Sequence, residues 1–458
     1  MKYISTRGQA EPVDFVEAIL AGLAPDGGLY VPAKWPRIAP AGVNESYVSV
    51  ATRILSAFAG AALPMQVIQQ LCEKAYASFS HHSVAPLVQD GPNSFVLELH
   101  HGPTLAFKDV AMQLIAQLYD HILSIRDERM SVVCATSGDT GGAAAAAFSG
   151  ALNVDLYILH PHHRVSPVQR LFMTTTGADN VHNFALEGDF DDCQAIVKSM
   201  FADTVFAASV RLSGVNSINW ARIAAQSVYY ATCQAALGRD RAIRFVVPSG
   251  NMGDAFAGYV AARCGLLSGF ETVCAVNENR SLATIFERGE MKRTMAVPTP
   301  SPAMDISVPS NFERLLFEVS GRDGDSVRSI YDRYAQSEDV ILPDTIRGPL
   351  GCTGLSSQSV SNGDTEAEMQ RYYSQTGTLI CPHTAVGTAV ARSLPSTDAA
   401  TVVLSTAHAA KFPETVLSAT GIDVPLPIRC DALQDKVEVF DTMPADQNVV
   451  KAAITAHI

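Results

Sequence analysis

A lysine that opens a helix beside an aromatic ring, with apolar surface behind it, is placed to act as an amine nucleophile. Lys108 holds such a position in His100-His101-Gly102-Pro103-Thr104-Leu105-Ala106-Phe107-Lys108-Asp109, where a turn runs into the amphipathic residues 110–118. The helix dipole and desolvation both disfavour the charged form there. An amine held that way forms imines with carbonyl compounds. The competing reading of the same residues is a solvated first-turn lysine paired with Asp109.

Three other turns carry groups suited to anions. Gly250-Asn251-Met252-Gly253-Asp254 follows an apolar run and precedes a helical one, so its backbone N–H groups and the helix end could cradle a phosphate. It is neither a Walker A loop nor a dinucleotide turn, and its plainer reading is an ordinary turn capped by Asp254. Ser137-Gly138-Asp139-Thr140-Gly141 offers hydroxyls and backbone donors. The charge of Asp139 suits an amino acid better than a bare phosphate, and a simple helix cap by Ser137 or Asp139 is the alternative. Asn216-Ser217-Ile218-Asn219-Trp220-Ala221-Arg222 sets amides, a hydroxyl and an arginine within about one and a half helical turns, close enough for one oxyanion to meet several of them. Leu404-Ser405-Thr406 ends a strand-like run with hydroxyls, and a hydroxyl in that place can bond a neutral ring nitrogen. His408 and Lys411, just beyond, read equally well as loop residues. The histidine pairs and the triplet His160, His162, His163 lack partners at zinc spacing, so no metal site is expected.

These turns need strands and helices to hold them. Residues 131–135, 155–159, 243–247, 272–276 and 401–404 are short β-rich runs, several followed by a glycine-bearing turn and a helical pattern. That alternation predicts α/β sheets, with ligands at the carboxyl ends of the strands. The first ninety or so residues read mainly as helix, over residues 13–23 and 47–79 with a break at Leu63-Pro64, closed by the loop Asp90-Gly91-Pro92-Asn93. The nine cysteines are scattered without a C-x-x-C pair, which fits reduced thiols. The net charge of −13 argues against nucleic acid or an anionic membrane as partner. No apolar run is long enough to span a bilayer, and a cytoplasmic protein is expected.

Taken in order, the segments resemble threonine synthase, a fold-type II pyridoxal-phosphate family related to the tryptophan synthase β subunit. The resemblance rests on Ser5-Thr6-Arg7-Gly8, residues 20–32, the lysine segment 101–109, residues 135–141, 164–169, 187–194 and 215–222, Pro382-His383-Thr384-Ala385-Val386-Gly387, and residues 405–413. It implies an α/β fold with two open twisted α/β domains and a mainly helical N-terminal domain. The divisions expected are 1–92 for the N-terminal unit, 93–127 with 242–458 for the large cofactor-binding domain, and 128–241 for the small domain.

It further implies pyridoxal 5'-phosphate held as an imine on Lys108, with its phosphate at Gly250, Asn251, Met252, Gly253 and Asp254 and its ring nitrogen at Thr406. Ser137, Asp139 and Thr140 match the family's substrate loop, while Asn216, Ser217 and Arg222 match residues near the substrate phosphate. The implied reaction takes O-phospho-L-homoserine and water to L-threonine and phosphate, in a monomer or homodimer. Met252, Ser249 and Ala409 depart from the family's usual phenylalanine, threonine and proline. The alternatives are a threonine or serine dehydratase of the same fold type, which needs no second anion site, and a catalytically silent ligand-binding relative.

Overall fold

The computed structural model describes residues 1–336 and 339–457. A six-stranded sheet runs in the order Leu355–Ser359, Glu271–Val276, Ile243–Pro248, Ala400–Ser405, Ser94–Glu98, Leu87–Gly91. Its pairings are parallel except the last, which is an antiparallel hairpin. A five-stranded, wholly parallel sheet runs Asp441–Pro444, Val181–Glu187, Val154–Pro161, Met130–Ala135, Leu212–Gly214. Parallel strands covered by helices on both faces must be apolar on both faces. Ile243–Pro248 is accordingly buried throughout, and Met130–Ala135 is buried in all but its first residue.

The N-terminal unit pairs Tyr3–Ser5 with Tyr30–Pro32 and adds the helices Phe15–Ala21, Tyr47–Ala59 and Met65–Tyr76. Ser46 caps the second helix by accepting from the Ser49 N–H, and Gly60 at φ 59° ends it. The expected break at Leu63-Pro64 separates the second and third helices. Val50, Ile54, Leu55 and Phe58 form the buried stripe, and the Phe58 ring meets Trp220 edge-on at 5.5 Å.

Two of the expected divisions do not follow the chain's pairing. The loop Asp90–Asn93, expected to close the N-terminal unit, is instead the turn of the hairpin Leu87–Gly91/Ser94–Glu98 at the edge of the large sheet. The last strand, Asp441–Pro444, joins Val181–Glu187 in the small sheet, although residues 242–458 were expected in the large domain. The reason lies in the helix that follows: Val450 and Ile454 are buried with Tyr157, Phe184 and Met200 in the core of the small sheet.

The turns that matter lie at strand ends. Lys108–Arg126 follows the loop after Ser94–Glu98, and Asp139–Phe148 follows Met130–Ala135. Gly253–Arg263 follows Ile243–Pro248, while Thr406 directly follows Ala400–Ser405. These are the carboxyl ends where open α/β sheets take ligands.

Candidate active site

Lys108 begins its helix without a side-chain cap. The loop before it is stitched to the end of strand Ala400–Ser405: the Phe107 N–H donates to the Thr406 carbonyl at 2.8 Å, and the His408 N–H donates to the Leu105 carbonyl at 3.0 Å. Asp109 is not its partner. That buried carboxylate turns back to accept from the Thr104 hydroxyl at 2.6 Å and the Thr104 N–H at 2.8 Å, closing the turn. Gly102 is required beside it, since a Cβ there would stand 2.3 Å from that of Asp109. The reading of Lys108 as a solvated lysine paired with Asp109 is therefore overturned.

The carboxylate facing Lys108 is Asp139, whose Oδ2 lies 3.6 Å from Nζ. The Phe107 ring lies 4.5 Å from the same nitrogen. Burial pushes the Lys108 pKa down, Asp139 draws it up, and Arg222 and Lys411 add to the downward pull. Burial raises the Asp139 pKa, but Lys411 and Lys108 outweigh it and hold the carboxyl well below the usual range. The alternative of a helix cap by Ser137 or Asp139 is not met: Gly138 stands at the N-cap with φ 141° and no side-chain bond. The turn is held from behind, where Thr136 Oγ1 accepts from the N–H groups of Gly138 and Gly141 at 2.9 and 3.0 Å. Ser137 and Thr140 are half-buried on that turn.

At the phosphate-cradle candidate, Met252 takes the left-handed conformation at φ 60°, and the helix starts at Gly253. The first turn of any helix leaves N–H groups without intrahelical acceptors. Gly250 leaves room that no side chain could share, since a Cβ there would stand 2.8 Å from Ile306 Cγ1 and 3.0 Å from the Ala303 carbonyl. Asp254 does not stand at the N-cap, which is Met252, although its Oδ1 accepts from the Ala255 N–H of the first turn at 2.9 Å. It is buried, accepts from the Ser249 hydroxyl at 2.6 Å, and burial raises its pKa.

The Asn216–Arg222 segment opens its helix later than expected, at Trp220, with Asn219 as the cap. Ser217 comes within 3.5 Å of Ser310 Oγ, and Ser310 Oγ donates to Asn251 Oδ1 at 2.9 Å, so the second and fourth turns adjoin. Arg222 is 3% exposed, has no carboxylate partner among the described residues, and its Nε makes no hydrogen bond. Burial presses its pKa down to about 10, so it stays charged at neutral pH. Asn216 Oδ1 is also buried and unpartnered. A buried guanidinium without a carboxylate partner is suited to a desolvated anion.

Four residues of the site were not singled out from sequence. Lys411 donates to Asp139 Oδ1 at 2.8 Å, and Gln169 Nε2 donates to the same oxygen at 2.9 Å. Asn311 Nδ2 donates to the carbonyls of Ser217 and Asn251, both at 3.1 Å. Arg314, wholly buried, donates to the Tyr30 carbonyl at 3.1 Å, the Ile218 carbonyl at 2.5 Å, and Asn311 Oδ1. These partners lie dozens to hundreds of positions away, Asn311 apart, and no local pattern announces them.

A lysine amine with a cation at its back, a glycine cradle at a helix start, a hydroxyl at the end of the neighbouring strand and a second anion receptor together define a pyridoxal-phosphate dependent enzyme. Residues 86–338 match the family model of that description. Residues 2–76 match that of the threonine synthase N terminus, and residues 384–454 that of the threonine synthase C-terminal region. The chain belongs to the threonine synthase family. The threonine synthase of Pseudomonas aeruginosa is 43% identical over 100% of this chain and 98% of its own. That of Corynebacterium glutamicum is 36% identical over 100% and 99%. The crystal structure of pyridoxal-phosphate-bound threonine synthase from Brucella melitensis superposes with a TM-score of 0.95 at 46% identity, covering 100% of this chain and 99% of that one.

Proposed function

We propose that this chain converts O-phospho-L-homoserine and water to L-threonine and phosphate, the last step of threonine biosynthesis. The observation that carries this reading is the buried guanidinium of Arg222, which forms no ion pair among the described residues. A dehydratase acting on threonine or serine has no leaving phosphate and no use for such a receptor.

In this reading Gly250, Asn251, Met252, Gly253 and Asp254 would hold the phosphate of pyridoxal 5'-phosphate, Thr406 its ring nitrogen, and Lys108 its aldehyde carbon. The cofactor, when bound, supplies the electron sink for charge that develops on the substrate. Ser137, Asp139 and Thr140 take the amino-acid end of the substrate, where the N–H groups of the Asp139 helix start face an anion. Arg222, Asn216 and Ser217 take the phosphate and offset its charge as it departs. Once the substrate's own amine replaces it, the Lys108 amine stands as a base. It removes the proton at Cα, assists removal of one at Cβ while the phosphate leaves Cγ, returns one to Cγ, and, once water has added at Cβ, returns one to Cα. Burial lowers the Lys108 pKa, which moves the amine toward the free form that a base requires. Nine unpaired cysteines, eight of them buried, are consistent with the cytoplasm as its compartment.

The test is to incubate purified protein and cofactor with O-phosphohomoserine and follow threonine and phosphate together. Equimolar release of both is expected. Ammonia and a keto acid from threonine, with no phosphate from O-phosphohomoserine, would overturn the reading in favour of a dehydratase.

A further inference from the structure

Asp139 lies between two lysines, and the two are held differently. Lys411, fully buried on the single turn Ala409–Lys411, donates to Asp139 Oδ1 at 2.8 Å and to the Thr104 carbonyl at 2.7 Å. The Phe172 ring lies 5.1 Å from its nitrogen. Gln169 fills the remaining capacity of Oδ1, and Gln169 is itself held by Ser166, whose hydroxyl donates to Gln169 Oε1 at 3.0 Å. Oδ2 is left toward Lys108 at 3.6 Å, beyond hydrogen-bond range. Asp139 opens the helix that follows a strand of the small sheet, whereas Thr104, Lys108 and Lys411 lie in segments that follow strands of the large one.

The geometry points to Lys411 as a positioning residue: by engaging one oxygen of Asp139 and the carbonyl of Thr104, it fixes Asp139 as a counter-charge that never closes onto Lys108. A carboxylate free to turn would move the distance, under about 1 Å, needed to bond the ammonium and hold its proton. Lys411 prevents that movement, and its own positive charge works in the same direction. The other charged or titratable groups that act on Lys108 are Arg222, from the helix Trp220–Leu237, and Asp254, from the helix Gly253–Arg263; Lys108 in turn acts on His383, from Pro382–Ser393. The inference rests on Lys108 being the reactive amine of the proposed function.

The experiment titrates Lys108 itself. Cofactor-free protein is pulse-labelled with an amine-acylating reagent between pH 6 and 11, and the Lys108 peptide is quantified by mass spectrometry, while holoenzyme is assayed in parallel for kcat and KM. In Lys411→Met the labelling midpoint is expected to rise by about one pH unit, with kcat falling about ten-fold near pH 7 and KM little changed. In an Asp139→Asn background the same substitution is expected to give a much smaller rise, because its main route has been removed. A folded Lys411→Met protein with an unmoved midpoint overturns the inference, and so does an equal rise in both backgrounds. Should Lys411→Met not fold, Lys411→Gln keeps a donor without the charge. It is expected to move the midpoint the same way by less, and no movement overturns the inference. Wild-type holoenzyme lacking the absorbance of a lysine imine would instead refute the assignment of Lys108, a separate outcome.

Discussion

At the scale of single residues the site is a set of charges kept from neutralising one another. Arg222 is buried near Asp254 yet, among the described residues, its side chain bonds only the Val215 carbonyl, at 3.4 Å. Burying a cation unpaired is costly, and such an arrangement persists where a ligand completes it. Arg222→Ala is therefore expected to lower kcat/KM for O-phosphohomoserine by about 10²–10³-fold, measured as phosphate release, while leaving the absorbance of the lysine imine in place. Lys108→Ala is expected to abolish both that absorbance and turnover, and a variant retaining full activity would remove Lys108 from the chemistry. Local sequence was enough to raise Lys108 as a candidate beside the plainer reading of a solvated lysine, and it was the resemblance along the whole chain that singled it out. Local sequence was not enough to rank Lys411 above a loop residue, because Lys411's role depends on Thr104 and Asp139, 307 positions away in the first case.

At the scale of elements, the legible parts were those with two buried faces. Residues 243–247 and 131–135 are largely apolar runs, broken only by Arg244 and Ser131, that lead into glycine-bearing turns, and both are strands. Leu355–Ser359 and Asp441–Pro444 escaped because edge strands carry polar residues on their open side, which erases the pattern. The strand–turn–helix unit at Gly250 gives a sharp test. Gly250→Ala must push against the Ala303 backbone, and it is expected to weaken cofactor binding by about ten-fold or more, an effect of about 1.4 kcal/mol, read by titrating the imine absorbance. The helices Asn362–Thr376 and Pro382–Ser393 are joined at Glu368, which is fully buried and bonds both Arg371 and Arg392, the latter at 2.8 Å. Burial raises the Glu368 pKa, but the two arginines and Thr388 outweigh it and lower it overall. A carboxyl with a lowered folded pKa adds stability that is present above its unfolded value, about 4.3, and disappears as pH falls through the folded one. Glu368→Gln is thus expected to lose about 1–3 kcal/mol at pH 7, and its gap from wild type in denaturant melts is expected to close below about pH 4.

At the scale of the whole molecule, the N-terminal unit is tied directly to the site. Thr6 donates to Glu313 at 2.6 Å and Arg7 pairs with the same carboxylate at 3.2 Å, while the adjacent Arg314 reaches the Tyr30 carbonyl. Glu313→Ala is expected to raise hydrogen exchange in residues 3–32 while the central strands of the large sheet stay protected. The resemblance of Ser5-Thr6-Arg7-Gly8 to its family was visible in sequence, but not the physical use of Thr6 and Arg7, which is to grip a helix some 300 residues on. The return of Asp441–Pro444 to the small sheet has a consequence in time. Val181–Glu187 is synthesised some 250 residues before the strand that covers its edge, an interval on the order of 10–50 s at ordinary rates of translation. For that long the nascent small sheet presents an open, partly apolar edge, so the sheet stays incomplete until Asp441–Pro444 has been made and the growing chain has to be kept apart from its neighbours until then.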